Sequence, residues 1–175
     1  MKVILSACSL TLAALGLFWI FGLRVNATAS MPRGIYRLVP GALERGDLVR
    51  VCLEDGPFAT LALKRNYLRP GACPNGLEPL LKRLAGIPGD HLDVGQDGIA
   101  INGRLWPQSR VVARDSHGRP MPKAENFGSQ TIPAGLALVL SDRHPGGFDS
   151  RYFGLVPMVS LCKIEPVFLI AHKGE

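Results

Sequence analysis

Val3 to Leu23 contains no charged residue, and this 21-residue run restricts the chain more than any other feature. Lys2 precedes it and Arg24 follows it. As a helix rising about 1.5 Å per residue it would span about 30 Å, the thickness of a bilayer core. It reads either as a retained transmembrane helix or as a cleavable secretory signal. In the second case Ala27-Thr28-Ala29 is the small-residue cleavage site. The run exceeds the usual signal core, which favours an anchor. Lys2 on one side faces Arg24 on the other, so the charge asymmetry that orients such helices is weak. Residues 1–25 are therefore expected to be a membrane anchor or signal segment, with 26–175 as a single domain across the membrane.

The domain itself reads as short strands. Asp47 to Leu53 alternates, as do Asp90 to Val94, Ile99 to Ile101 and Arg104 to Trp106. Asp97-Gly98 and Asn102-Gly103 separate the last three, and Asn-Gly is a strong hairpin signal. Leu80 to Ala85, Thr131 to Leu140 and Val159 to Ile170 also read as strands. Pro57 to Leu68 holds a short helix, closed by Pro70-Gly71. Asn26 to Gly34 is loop, and 107 to 130 is a polar excursion rich in Gly and Pro. The expected fold is mostly β, with antiparallel sheets folded into a barrel or sandwich behind an N-terminal apolar helix.

The net charge of +6 invites nucleic acid or an anionic membrane surface as partner. No basic helix, zinc pattern or aromatic-interleaved motif accompanies it, so no nucleic acid, metal or cofactor is expected. Of the four cysteines, Cys8 lies in the apolar run and Cys162 near the C-terminus. Cys52 and Cys73 each sit beside a turn-prone stretch. An oxidising compartment lets them pair as a disulfide; two separate buried thiols are the alternative.

Alternation in Leu80-Leu-Lys-Arg-Leu-Ala85 puts Lys82 between Leu80 and Leu84 on one face. A lysine on an apolar face loses hydration of its ammonium, and the neutral amine becomes available as a base. A lysine snorkelling at a sheet edge fits the same pattern. Ser30 follows the apolar run by seven residues, at most about 25 Å of extended chain, and so stays near the membrane. The stretch Ser141 to Gly154 mixes glycines with charged residues. His144 there allows a triad with Ser30 and Asp142 or Asp149, but no serine sits in a Gly-x-Ser-x-Gly elbow.

In order along the chain stand an apolar run, Ser30-Met31-Pro32, Lys82-Arg-x-x-Gly-x-Pro-Gly-Asp90, and Ser141-Asp142 followed by Asp149-Ser-Arg-Tyr-x-Gly154. This order resembles the signal peptidase I superfamily. Ser30-Met-Pro-Arg-Gly-Ile-Tyr36 and Tyr67-Leu68 with Gly71-x-Cys-Pro74 are closer to its TraF branch, the conjugal-transfer peptidases. Ordinary signal peptidases carry one residue between Met and Pro; here there is none. The region between the lysine box and the last box is short, leaving no room for a large second domain.

The resemblance implies a serine peptidase in which Ser30 is the nucleophile and Lys82 its base. The Ser30 backbone N–H and the Thr28 hydroxyl would form the oxyanion hole, where one such donor is worth roughly 3 kcal/mol. Arg151 and Asp149 would be a supporting ion pair, Asp149 with a further catalytic part and Asp142 as its alternative. It implies cleavage after small residues of a pilin precursor, hydrolytic or cyclising. It also implies a periplasmic location, tethered to the inner membrane by residues 3–23, among other conjugative transfer proteins. A general signal peptidase I, a non-catalytic membrane-anchored transfer or pilus assembly factor, and a secreted β-barrel binding module are the rival readings.

Overall fold

A computed structural model describes residues 23–26, 31–125, 127–141 and 143–170. Among the described residues eleven strands lie in two sheets, and every strand pair is antiparallel. In chain order the first are β1 (Leu23–Asn26), β2 (Gly34–Leu38), β3 (Leu48–Val51) and β4 (Leu80–Gly86). Then come β5 (His91–Gly95), β6 (Gly98–Ile101), β7 (Arg104–Leu105) and β8 (Gln130–Thr131). The last are β9 (Leu136–Leu140), β10 (Val156–Pro157) and β11 (Leu161–Leu169). The larger sheet runs β1-β2-β11-β3-β4-β9-β10 and the smaller β7-β6-β5-β8. Among the described residues, helix α1 (Pro57–Lys64) and the single turn α2 (Ser150–Phe153) are the α-helical elements.

The period-2 alternation of β4 and β9 explains the two cores. Leu80, Leu84, Ala137 and Val139 face one cluster with Val49, Val51, Phe148 and Tyr152. Ala85, Leu138 and Leu140 face the other, with Leu92, Ile99 and Ile101 of the smaller sheet. These two strands are thus buried on both sides. Gly86 belongs to this packing, because a Cβ there would stand 2.5 Å from Ile132 Cδ1.

The structure differs from the sequence reading in four places. The sheet begins at Leu23, not at residue 26, because Leu23–Asn26 pairs with Gly34–Arg37. β2 was not anticipated; its run Gly-Ile-Tyr-Arg-Leu follows directly on the Ser-Met-Pro loop. The strand expected over Thr131 to Leu140 is broken into β8 and β9. Pro133 has no N–H to give a ladder, and Gly135 at φ 78° turns the chain. β11 starts at Leu161, after a 3-10 turn over Met158–Ser160. The expected N-terminal apolar helix falls, up to residue 22, outside the described residues. Among those described, no helix is long and apolar enough to cross a membrane. Cys52 and Cys73 form a disulfide, with Cα atoms 5.6 Å apart.

Candidate active site

Lys82 lies in the middle of β4, opposite Val49 of β3. Its face carries Leu80 and Leu84, and its side chain is only 2% exposed. On the other side the β4–β9 register sets Arg83 opposite Leu140 and Leu84 opposite Val139. Continued by one residue, that register brings Ser141 level with Lys82. The Lys82 Nζ donates to the Ser141 Oγ at 3.0 Å, and Ser141 is fully buried.

Behind Ser141 stands the Asp149–Arg151 pair. The Ser141 backbone N–H donates to Asp149 Oδ2 at 2.9 Å. Arg151 Nε and Nη2 donate to the two Asp149 oxygens, each at 2.8 Å, and neither side chain touches solvent. Asp149 also caps α2, accepting from the Arg151 N–H. The remaining guanidinium N–H groups donate to the carbonyls of Gln108, Arg110, Pro145 and Gly147. One arginine therefore ties the excursion after β7 to the loop that carries Ser141. Burial works against its charge, but the hydrogen bonds and charge of Asp149 outweigh this and raise its pKa. Gly147 completes the wall: a Cβ there would stand 2.3 Å from Ser141 Oγ.

Ser30, Thr28 and Asp142 lie outside the described residues. The residues flanking 27–30 are well held. Asn26 Nδ2 donates to the carbonyls of Met31 and Pro32, and Tyr36 Oη donates to Pro32 O at 2.6 Å. Met31 and Tyr36 are buried. His144 is exposed, and its Nδ1 accepts from the Gly146 N–H in its own loop. Both Asp149 oxygens are engaged by Arg151 and Ser141, so these residues do not assemble as a His144–Asp149 couple. Ser141 is the functional neighbour that the sequence reading missed. The signal was present as parity, since Ser141 continues the Ala137, Val139 face of β9.

The aspartate that ends the lysine box has a different task. Asp90 accepts from the Ile87 N–H, from Asn102 Nδ2 and from the Arg45 guanidinium. It thereby pins the turn after β4 to the β6–β7 hairpin. Burial pushes its pKa up, but these donors prevail and hold the carboxyl below its ordinary value.

Residues 1–164 match the family described as signal peptidase, peptidase S26. The chain belongs to that signal peptidase family. A probable conjugal transfer protein TraF of Sinorhizobium fredii is 34% identical over 165 residues, covering 90% of this chain and 84% of that one. A conjugal transfer protein TraF of Agrobacterium fabrum is 38% identical over 150 residues, covering 84% and 82%. A probable signal peptidase I-2 of Synechocystis sp. is 31% identical over 84 residues, covering 48% of this chain and 35% of that protein. The signal peptidase family implies serine peptidase activity.

Proposed function

We propose that the chain is a serine endopeptidase of a bacterial conjugation system that processes a pilin precursor through a Ser30–Lys82 dyad. One observation carries the reading: a lysine withdrawn from water on an otherwise apolar strand face, held by a buried serine hydroxyl. Loss of hydration favours the neutral amine that base catalysis needs. Ser30 Oγ attacks the scissile carbonyl carbon and passes its proton to Lys82 Nζ. Lys82 returns that proton to the departing amine, leaving an ester on Ser30. Water, or the amino group of the precursor itself, then attacks the ester with Lys82 again as base.

The dyad requires a curled sheet. β1 and β4 are four steps apart in the sheet, about 19 Å if flat. Burial of Met31, next to Ser30, supports a chain that turns inward there. Asp149 and Arg151 act as positioning residues, through Ser141. The Thr28 hydroxyl and Ser30 N–H serve as oxyanion donors. Relatives named for conjugal or plasmid transfer match along most of their length, whereas the general signal peptidase matches over a third of its own. That contrast favours a specialised substrate. The proposed location is the periplasm, with tethering by residues 3–23. Val25, Ile35 and Phe168 stand side by side across β1, β2 and β11, and Val167 to Ile170 are exposed. An apolar patch of this kind fits a membrane surface.

Mass spectrometry of a candidate pilin, made with and without the full chain in membranes, tests the reading. A product shortened after a small residue is expected. A cyclised product weighs one water less than its hydrolysed counterpart. An unprocessed precursor, or processing unchanged by Ser30→Ala, would overturn the proposal.

A further inference from the structure

A cleft of about 520 Å³ opens between the start of α1 and the chain that follows α2. Neither Lys82 nor Ser141 lines it. Leu53, Phe58, Phe153 and Leu155 give it apolar walls. Glu54, Asp55 and Glu125 also line it, all exposed, against the single cation Lys123. None of these four makes a hydrogen bond or ion pair among the described residues. Apolar surface continues past the mouth: Val159, between the lining residues Pro157 and Ser160, is 95% exposed. The whole chain carries a net charge of +6, so the cleft reverses the prevailing sign.

Such a surface selects its occupant by charge. Carboxylates at the rim of an apolar cleft attract cations, and low-dielectric walls focus the field there. Glu125 stands on a different segment from Glu54 and Asp55, so a ligand that meets all three carries more than one positive charge. To cover Val159 as well, it extends beyond the cleft. A peptide with lysine or arginine beside apolar residues satisfies both conditions. The stems of those basic side chains lie along apolar walls while their charges reach the rim. We propose that the cleft is a docking site for such a basic, apolar segment of a protein partner. Val156 and Pro157 of β10 also line it, and β10 ends the larger sheet. An extended segment can therefore lie along it without displacing a strand. The occupant touches Phe153, the last residue of the turn that Asp149 caps. The inference stands independently of the peptidase reading.

The test uses the full chain in a non-ionic detergent and a blocked, fluorescein-labelled Val-Lys-Val-Lys-Val peptide. Alternation sets its valines on one face and its lysines on the other. Saturable binding is expected by fluorescence polarisation, weakening as salt is added. Val-Glu-Val-Glu-Val and Ser-Lys-Ser-Lys-Ser should each bind at least about tenfold more weakly. The combined variant Glu54→Gln, Asp55→Asn, Glu125→Gln alters only exposed side chains. It should weaken binding of the lysine–valine peptide about tenfold, the scale of three surface ion pairs. Carbodiimide coupling then maps the contact, and the peptide lysines should join Glu54, Asp55 or Glu125. Absence of saturable binding, equal binding of either control peptide, or coupling spread over carboxylates elsewhere would overturn the proposal. So would coupling of these three carboxylates to Lys2 or Lys173 of the chain, or to a second copy, in preference to the peptide.

Discussion

Two arginine–aspartate pairs bracket Lys82 in the fold, and they differ in how they meet water. Arg151–Asp149 is wholly buried, and Arg151 spends its other N–H groups on four carbonyls. In Arg45–Asp90 the arginine is 44% exposed while the aspartate is nearly buried. The first pair organises its surroundings from the guanidinium outward. The second does so from the carboxylate, which Ile87 and Asn102 would still hold if Arg45 were gone. The same two residue types therefore make one pair an internal clamp and the other a surface reinforcement.

The largest effect should come from breaking the clamp. Arg151→Met strands Asp149 in the interior and frees the carbonyls it held. A loss of about 3–5 kcal/mol is expected, the cost of removing one partner of a buried pair. At about 2–4 °C per kcal/mol the melting midpoint should drop on the order of 10 °C. A drop of only a degree or two, by calorimetry, would erase the contrast between the pairs.

Next come changes to the wall that the clamp supports. Ser141→Ala removes the Lys82 hydrogen bond, and Gly147→Ala drives a methyl into Ser141 Oγ. Each should lower processing about 10- to 100-fold, the scale of small misplacements at a catalytic group. The midpoint should move far less than with Arg151→Met. Equal losses in activity and in folded fraction would mean that Ser141 serves the core alone.

Acid sharpens the comparison from the other pair. Asp90 is held below its ordinary value, so its contribution is complete above about pH 4. That contribution fades as pH falls through the lower, folded-state value. Denaturant midpoints should therefore decline below about pH 4, and Asp90→Asn should flatten that decline. An unchanged slope in the variant would count against the role given to Asp90. The smallest effect belongs to Arg45→Ala, about 0–1 kcal/mol, as for exposed ion pairs.

Much of this was legible in the chain. The alternation around Lys82 placed it on the inner face of β4, and Asn102-Gly103 marked the β6–β7 hairpin. The resemblance implied that Asp149 and Arg151 pair, and the structure shows them as an ion pair. Other features were not legible because they depend on partners distant in sequence. Ser141 acquires its role from the β4–β9 register, 59 residues away from Lys82. Arg151 reaches Gln108 and Arg110 in an excursion that by composition is only polar loop. β1 takes one residue, Leu23, from the end of the apolar run and three from beyond it, and four residues are too few for period-2 alternation to be told from a helix end. Pro133 and Gly135 divided a stretch whose hydrophobic pattern alone read as one strand.

The central claim is that Ser30 and Lys82 form one catalytic unit. Its most direct test compares the full chain with Ser30→Ala, Lys82→Ala and Lys82→Arg in membranes, each supplied with the same precursor. Intact mass spectrometry reads product, and circular dichroism reads folding. The account predicts that all three variants keep the β-rich spectrum and yield no product. Lys82→Arg fails too, because a guanidinium cannot give up its proton at these pH values. His144→Ala should process the precursor nearly as well as the unaltered chain. Substantial product from folded Lys82→Ala, or its loss on His144→Ala, would contradict the dyad.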